Sequence, residues 1–288
     1  MRHAYLILAH EDAVQLEALV RRLAPPGGPD RAIVHIDAKS ALWHETRGRF
    51  LGGIGTATVI PNPVKVRWGH ASQIAATRLL LAEALREDFA VAHLLSGADW
   101  PLAPRETILA EAVDACHIEA AEGVQSERME RVRLDSRMLR PDPAKPWQWY
   151  PARALRRLST FVPARKAGPW GAWHKGSQWW SLPRDVCGAV LTEIDRAFAS
   201  GLLAGTLCAD EHLIQTIVAA RFPARIAPNR RFVRWSSGAS PDVLTGADWD
   251  AAKASGAWFA RKLSRTRDPF FLAAAGTAPP LAARSEDG

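Results

Sequence analysis

Cysteine is scarce in this chain: only three of its 288 residues are cysteines, Cys116, Cys187 and Cys208. None of them has Cys-x-x-Cys spacing, and the odd count argues against a disulfide framework or a zinc site, so we expect a reducing compartment. No apolar run approaches the ~20 residues of a membrane span. The short apolar run in residues 1–8 lacks the length and the small-residue exit of a signal peptide. We therefore expect a soluble, cytoplasmic protein.

Common phosphate-binding and metal-binding patterns are also missing. No GxGxxG follows the first predicted strand and no GxxxxGK[ST] occurs anywhere, which excludes the usual dinucleotide and P-loop cradles. The nine histidines show no metal-ligand spacing and no Ser/His/Asp arrangement that fits the fold. His10 and His212 lie near the predicted pocket, where we expect hydrogen-bonding wall residues rather than catalysts.

Basic residues outnumber acidic ones, and the formal net charge is +7. Such an excess suits a polyanionic partner such as nucleic acid, a membrane surface or a phosphate-bearing substrate. No run of like charge is long enough for a nucleic-acid-binding tail, so we expect no nucleic-acid partner. A peripheral association with a membrane stays open.

Tryptophan is frequent, with twelve indoles against two tyrosines. Six of the indoles are close in sequence: Trp147, Trp149, Trp170, Trp173, Trp179 and Trp180. Indole faces stack on sugar rings and on bases, so this cluster is a candidate carbohydrate or nucleotide surface. A second, tryptophan-rich core explains it equally well.

Strand-like and helix-like segments alternate through the first 120 residues. Predicted strands cover AYLILAH, AIVHID, TATVIP and FAVAHLLSG, and predicted helices cover DAVQLEALVRRL, SQIAATRLLLAEALRE and APRETILAEAV. Asp12 stands near the predicted N-terminal cap of the first of these helices. This order predicts an α/β fold with a mixed, mostly parallel sheet and helices on both faces. Ligands of such sheets bind beyond the carboxyl ends of the strands, which here carry His10-Glu11-Asp12, Asp37 and Ser96-Gly97-Ala98-Asp99.

The second half of the chain is less regular. Residues 121–176 are rich in Pro, Arg and Trp, which predicts an irregular excursion that covers the substrate. We then predict a strand at GSQWWSL, a helix beginning near Pro183 and a strand at RFVRWS. Residues 276–288 are a predicted disordered tail. Without an internal repeat or a clear linker, residues 1–275 form a single predicted domain.

Two adjacent acids, Asp210 and Glu211, precede the apolar helical pattern of LIQTIVAARF. Acids in a first helical turn offset the partial positive charge of the helix N-terminus, so capping explains the pair. The alternative is that one of them accepts a proton from a substrate. The same helix N-terminus favours the ionised form of a carboxylate, which such a base requires.

Seven segments, in order and with compatible spacing, resemble glycosyltransferase family 14, which contains the branching β-1,6-N-acetylglucosaminyltransferases and the peptide O-xylosyltransferases. The segments are LILAHEDAVQLEALVRRL, IVHIDAKS, VRWGHASQIAATRLLLAEAL, HLLSGADWPL, KGSQWWSLPRDV, CADEHLIQTIV and WFARKL. The resemblance covers residues 4–263. It implies a GT-A-like fold, a UDP-sugar donor carrying N-acetylglucosamine or xylose, inversion at the anomeric carbon and no metal at the diphosphate.

The resemblance assigns a donor side of the site. Glu211 matches the family's catalytic base, which makes Asp210 the cap. Lys262 matches the diphosphate-binding lysine, with Arg261 beside it. Asp37 matches a nucleoside-contacting aspartate. Trp68 matches an aromatic position near the uracil, and packing in the core is the alternative role. The animal enzymes carry a second diphosphate-binding cation that this chain lacks at the matching position, and Arg234 or Arg231 is the expected substitute.

The resemblance also assigns an acceptor side. Glu119 matches a glutamate that binds the acceptor sugar, and Arg128 and Arg131 share the three-residue spacing of its basic partners. Trp179 and Trp180 point to opposite faces if SQWWSL is a strand, so at most one of them, taken as Trp179, meets the sugar. The expected acceptor is a hydroxyl group of a glycan or a peptide, for example on a surface polysaccharide.

No cofactor or metal is expected. Asp99 ends a predicted strand without a second carboxylate two residues away, and the Asp-x-Asp formed by Asp248 and Asp250 stands near a helix start, where capping explains it. We predict an inverting, metal-independent UDP-sugar glycosyltransferase. The alternatives are a carbohydrate-binding protein, a nucleic-acid binder and a family member without activity.

Overall fold

The computed structural model describes residues 1–132, 164–165, 168–236 and 240–268. Strands among these residues are β1 (His3–Ala9), β2 (Arg31–Ile36), β3 (Ala57–Val59), β4 (Val91–Ser96), β5 (Asp99–Pro101), β6 (Cys116–His117), β7 (Ala121–Glu122), β8 (His174–Lys175), β9 (Ser181–Pro183), β10 (Ile226–Ala227), β11 (Arg231–Val233) and β12 (Phe259–Arg261). Helices among them are α1 (Ala13–Leu23), α2 (Ala41–Thr46), α3 (Ser72–Ala84), α4 (Arg105–Ala112), α5 (Glu127–Glu130), α6 (Arg184–Ala199), α7 (Leu213–Arg221) and α8 (Trp249–Ala254).

The main sheet has seven strands in the order β10-β6-β9-β4-β1-β2-β3. Its neighbouring strands run parallel except on both sides of β9, which is antiparallel to β4 and to β6. A smaller sheet joins β11, β12 and β5, and β7 pairs with β8. The predicted fold class, a mixed and mostly parallel α/β sheet, is confirmed.

Each face of the sheet is covered by its own hydrophobic core, because side chains of a strand alternate between the two faces. In β1, Ala4 and Leu6 join the core formed with α3, α6 and α7. Tyr5, Ile7 and Ala9 join the core formed with α1, α2, α4 and α8. The helices therefore lie on both faces, as the alternation of segments predicts.

The residue before the first helix shows how local chemistry sets the boundaries of the elements. Asp12 caps α1, since its carboxylate accepts a hydrogen bond of 3.0 Å from the backbone N–H of Gln15. The predicted cap near the start of this helix is confirmed. α1 thus begins directly beyond the carboxyl end of β1, at the edge of the sheet where ligands are expected.

The predicted strand at GSQWWSL is wrong over most of its length. Only Ser181–Pro183 form a strand, and the residues before it cross irregularly from β8 to β9. Trp179 and Trp180 are both buried, so they do not alternate between a solvent face and a core face. The reason lies in the contacts of the preceding loop, whose backbone groups are bound by side chains of neighbouring elements.

Four indoles of the tryptophan cluster are core residues: Trp170, Trp173, Trp179 and Trp180 all belong to the core beside α6 and α7. This supports the core interpretation over a sugar-binding surface for these four. Trp147 and Trp149 lie outside the described residues, as do most of the predicted excursion at 121–176 and the predicted tail at 276–288. Within the described ranges, no helix has the length and apolarity needed to cross a membrane.

Candidate active site

Two neighbouring parallel strands, β1 and β4, end side by side, and a cleft of about 570 Å³ opens beyond their carboxyl ends. We call it the strand-end cleft. Its walls are residues 9–15 after β1, residues 96–98 after β4, and Val243 with residues 262–267 after β12. This is the position at which an open α/β sheet binds its ligand.

A second cleft, of about 700 Å³, adjoins the first, and we call it the outer cleft. It is lined by Arg234, Trp235, Ser236, Ser240, Pro241, Asp242, Val243, Lys262 and Arg267. Val243, Lys262 and Arg267 line both clefts. A ligand that extends from one cleft into the other must therefore pass these three side chains.

Gln15 of α1 fixes the basic segment 262–267 over the strand ends. Its buried amide donates hydrogen bonds to the carbonyl oxygens of Gly97 (3.2 Å) and Leu263 (3.3 Å). Its side-chain oxygen accepts one from the backbone N–H of Arg265 (2.8 Å). The position of the basic segment is thus set by backbone contacts, which leave the side chain of Lys262 available to a ligand.

The two basic residues at the end of β12 have different surroundings. The guanidinium of Arg261 lies 2.8 Å from the buried carboxylate of Asp99 and 4.3 Å from the centroid of the Trp179 ring. Lys262 has no acidic side chain within ion-pair distance in the described part of the chain. Of the predicted Arg261–Lys262 pair, only Lys262 lines the clefts, whereas the charge of Arg261 is compensated by Asp99.

Arg234, predicted as the substitute diphosphate cation, is compensated by two acids. Its guanidinium lies 3.4 Å from a carboxylate oxygen of Asp242 and also pairs with Asp248. It lines the outer cleft, but its positive charge is outweighed there by the two carboxylates. Arg231 is also engaged, since it donates to the carbonyl oxygen of Trp180 (2.9 Å) and stacks on Phe259.

Asp37 and Trp68 are brought to the same side of the sheet but line neither of the two clefts. The nearly buried Asp37 accepts hydrogen bonds from the backbone N–H groups of Lys39 (3.0 Å) and Val66 (3.1 Å). It therefore ties the end of β2 to the loop that carries Trp68. The indole of Trp68 is 48% exposed, which argues against the core alternative.

Glu211 lies between two cations. One of its carboxylate oxygens is 2.9 Å from the guanidinium of Arg128 and 3.8 Å from the ammonium of Lys175. The side chain is about one-third exposed, so it is in contact with solvent while its charge is compensated. The structure thus joins Glu211 to Arg128, two residues that are far apart in sequence and that the resemblance assigns to base and acceptor site.

Asp210 is not the helix cap that the sequence predicts. It stands with Glu211 in a 3₁₀ turn, Ala209–Glu211, that precedes α7, and no side chain caps either element. Its carboxyl group is buried, and one of its oxygens has no hydrogen-bond partner among the described residues. Burial and the neighbouring charge of Glu211 raise the pKa of Asp210 from its ordinary value to about 7.

This raised pKa predicts how stability depends on pH. The folded protein holds the Asp210 proton up to about pH 7, whereas the unfolded chain releases it near pH 3.8. The contribution of Asp210 is therefore fully present below pH 3.8 and is lost as the pH rises to about 7, a change of about 4 kcal/mol in the free energy of unfolding. Asp210→Asn should remove this loss and exceed the wild type in stability at pH 8.

The measurement is urea unfolding of both proteins at pH 5 and pH 8. Asp88→Asn is the matched control, because the side chain of Asp88 is 96% exposed and its removal should leave the pH dependence as in the wild type. Equal losses of stability between the two pH values in wild type and Asp210→Asn would contradict the prediction.

Glu119 contacts the loop that connects β8 to β9. Its carboxylate accepts hydrogen bonds from the backbone N–H of Ser177 (3.1 Å) and from the side-chain amide of Asn229 (3.4 Å). The side chain remains exposed. Arg131 follows the end of α5 and is also exposed, but the structure does not bring it to Glu211 as it brings Arg128. The predicted acceptor residues therefore have different partners: Arg128 contacts Glu211, whereas Glu119 contacts Ser177 and Asn229.

Residues 176–179 connect Glu211 to the basic residues Arg261 and Lys262 at the end of β12. The N–H of Gly176 donates to the carbonyl oxygen of Glu211 (2.9 Å), while the ring of Trp179 lies beneath Arg261, next to Lys262. Three residues of extended chain span at most about 11 Å. Glu211 and the Arg261–Lys262 segment are thus held at neighbouring positions. Trp179 is buried and covered by Arg261, which supports a structural role over the predicted contact with the acceptor sugar.

Gly176 is required by the close approach of two chain segments. A Cβ atom at this position would lie 2.0 Å from the carbonyl oxygen of Glu119, a backbone atom that cannot rotate away. Gly176→Ala should therefore push Glu119 and Glu211 apart, lower the free energy of unfolding by about 2 kcal/mol and reduce activity.

Chemical denaturation and an activity assay of the same sample measure both effects. Gly188→Ala in α6 is the control, because a Cβ atom there meets nothing within 4 Å. Alanine at such a helical position should stabilise the protein by about 0.5–1 kcal/mol. A Gly176→Ala protein as stable and as active as the wild type would contradict the predicted crowding.

Sequence reasoning missed three residues of this region. Lys175 lies in the segment KGSQWW, in which the two tryptophans are the more conspicuous signal. Asn229 carries no pattern of its own and is identified only by its bonds to Glu119 and to the carbonyl oxygen of Trp179 (3.1 Å). Arg267 lies beyond the last recognisable segment, so no motif marks it.

The carboxylates considered for metal binding have other partners. Asp99 pairs with Arg261 and accepts a hydrogen bond from the N–H of Ser96 (2.9 Å). Asp248 forms the predicted cap, since its carboxylate accepts from the N–H of Thr245 (2.7 Å) and pairs with Arg234. In the described residues no three His, Cys, Asp or Glu side chains converge as metal ligands would.

A mostly parallel α/β sheet with basic side chains beyond its strand ends is typical of proteins that bind an anionic ligand there. A family model described as Core-2/I-Branching enzyme matches residues 3–262. The chain belongs to the Core-2/I-branching enzyme family, and the resemblance to glycosyltransferase family 14 is confirmed. The protein is accordingly a glycosyltransferase, a class of enzyme that takes a nucleotide-sugar donor and a glycan acceptor.

Two solved structures with similarity to the chain are distant ones. A 4-diphosphocytidyl-2C-methyl-D-erythritol synthase from Anaerococcus prevotii shares 10% identity over 68% of this chain and 75% of its own, with a TM-score of 0.31. HddC from Yersinia pseudotuberculosis, complexed with GMP-PN, shares 11% identity over 64% of this chain and 78% of its own, with a TM-score of 0.32. No curated protein has a significant match to the sequence.

Proposed function

We propose that the protein is an inverting, metal-independent glycosyltransferase that moves N-acetylglucosamine or xylose from a UDP-sugar to a hydroxyl group of a glycan or a peptide. The observation that carries the proposal is the solvent-accessible carboxylate of Glu211, compensated by Arg128 and Lys175. It lies one short loop away from Lys262, which has no acidic partner among the described residues. A proton acceptor and a cation for a leaving diphosphate are the two groups that such a transfer needs.

Glu211 acts as the general base. The acceptor oxygen attacks the anomeric carbon, and its proton passes to the carboxylate of Glu211, from which it is lost to solvent after product release. Arg128 and Lys175 hold the carboxylate in place and compensate its charge before the proton arrives. Attack from the face opposite the UDP inverts the configuration at this carbon.

Lys262 stabilises the leaving group. The bond between the anomeric carbon and the phosphate oxygen breaks, and its electron pair leaves with UDP, whose β-phosphate gains negative charge. An ammonium group at the junction of the two clefts can compensate that charge as a point charge, in the place that a divalent ion takes elsewhere. This is the basis for proposing metal independence.

The remaining assigned residues bind the two substrates. The nucleoside occupies the sheet edge near Asp37, with Trp68 stacking on the base through its exposed indole. The acceptor lies against Glu119, Arg128 and Arg131, three polar side chains that the structure leaves at least partly accessible. Lys175 belongs to this group through its contact with Glu211.

The proposal is tested by UDP release from the purified protein in excess EDTA, with UDP-N-acetylglucosamine and UDP-xylose in parallel. Slow hydrolysis of the donor by water requires no knowledge of the acceptor. We expect turnover of one of the two donors, unchanged by EDTA and not increased when Mg²⁺ or Mn²⁺ replaces it. Absence of UDP binding would contradict the transferase assignment, and turnover only with a divalent ion would contradict metal independence.

A further inference from the structure

We propose that Arg267 supplies the second positive charge that binds the donor diphosphate, beside Lys262; the inference rests on the proposed function. A nucleoside diphosphate carries more than one negative charge, which a single ammonium group does not compensate. The sequence predicts the second cation at Arg234 or Arg231, upstream of Lys262. The structure instead points to a position downstream of it.

The other arginines near the clefts are already compensated or engaged. Arg234 pairs with Asp242 and Asp248, and Arg261 pairs with Asp99 and stacks on Trp179. Arg265 lies 3.4 Å from the carboxylate of Asp12. Moving any of these guanidinium groups to a ligand would leave a carboxylate without its partner, which costs free energy.

Arg267 differs from these residues in two respects. Together with Lys262 and Val243 it lines both the strand-end cleft and the outer cleft, so it stands where the clefts meet. Within the described ranges its guanidinium has no acidic partner, and the side chain is exposed. Lys262 and Arg267 are thus two uncompensated cations on one wall.

The backbone around Arg267 is held in position although its side chain is exposed. The N–H groups of Arg267 (3.2 Å) and Asp268 (2.9 Å) both donate to the carbonyl oxygen of Ser264. The same turn is anchored to α1 through the hydrogen bond between Arg265 and Gln15. A planar guanidinium at this point can donate two parallel hydrogen bonds to one phosphate, which complements the point charge of Lys262.

The test is calorimetric titration of UDP and of uridine, in EDTA, into wild type, Arg267→Gln, Arg267→Lys and Arg22→Gln. Arg22 is the control for net charge: it is an exposed arginine in the last turn of α1, at the opposite end of the helix from the strand-end cleft. Thermal unfolding of each variant checks that the fold is retained, as expected for an exposed side chain.

We expect Arg267→Gln to weaken UDP binding by about tenfold or more, since charge-assisted hydrogen bonds to phosphate are among the strong ones. Uridine should bind this variant as it binds the wild type, Arg267→Lys should recover part of the loss, and Arg22→Gln should bind UDP normally. Unchanged UDP affinity in Arg267→Gln, or an equal loss for uridine, would overturn the role of Arg267 alone. A wild type that binds neither ligand would overturn the proposed function with it.

Discussion

Glu211→Gln is expected to lower the rate of sugar transfer by roughly 10²–10⁴-fold, the usual contribution of a positioned general base. Glutamine keeps the size of the side chain and an oxygen that can accept from Arg128, 2.9 Å away, but it cannot take a proton at neutral pH. The measurement is UDP release from whichever donor the wild type turns over. The affinity for UDP should stay close to that of the wild type, because Glu211 acts on the acceptor.

A matched control separates loss of the base from loss of an ion pair. Glu17 pairs with Arg21 at 2.8 Å on the surface of α1, so Glu17→Gln makes the same chemical change away from the site. This variant should retain wild-type activity. A Glu211→Gln protein that transfers sugar at the wild-type rate would show that Glu211 is a structural ion-pair residue.

Lys262→Met should have the second largest effect, a loss of roughly 10²–10³-fold in kcat together with weaker UDP binding. Methionine keeps the unbranched side chain and removes the charge that stabilises the leaving diphosphate. Since the negative charge grows as the bond to the sugar breaks, the loss should be larger in kcat than in the affinity for UDP. Single-turnover rates and equilibrium UDP binding measure the two quantities.

Lys253→Met is the appropriate control. Lys253 is the one basic residue between the strand RFVRW and Arg261 in the sequence, but its ammonium donates to the carbonyl oxygen of Leu102 (2.9 Å) and lies over the ring of Trp249. Its removal should leave kcat and UDP affinity largely unchanged. Equal losses in the two lysine variants would contradict a specific role of Lys262.

The fold is largely predictable from the sequence because its signals are local. The alternation of apolar residues in β1 places Leu6 and Ile7 in opposite cores, and Asp12 caps α1 as its position predicts. The failed strand at GSQWWSL shows the limit of such reasoning. Gly176 lies against the backbone of Glu119, and no local pattern reveals that a segment distant in sequence will pack there.

The site is less predictable than the fold, since charge compensation depends on partners that are distant in sequence. Lys262 and Arg261 are adjacent and chemically alike, yet only Arg261 meets a buried carboxylate, that of Asp99. Asp210 has the sequence position of a cap and the environment of a buried acid. For Glu211, the resemblance to a family supplied a role that residue type and position alone left open.

The stereochemistry of donor hydrolysis tests the central claim most directly. Proton NMR of the purified protein with its donor in EDTA resolves which anomer of the free sugar appears first, before mutarotation mixes the two. If a Glu211-activated water attacks opposite the UDP, the β-anomer should appear first from an α-linked donor, and Glu211→Gln should suppress it. Initial release of the α-anomer, or a β-anomer formed equally fast by Glu211→Gln, would contradict inverting transfer with Glu211 as its base.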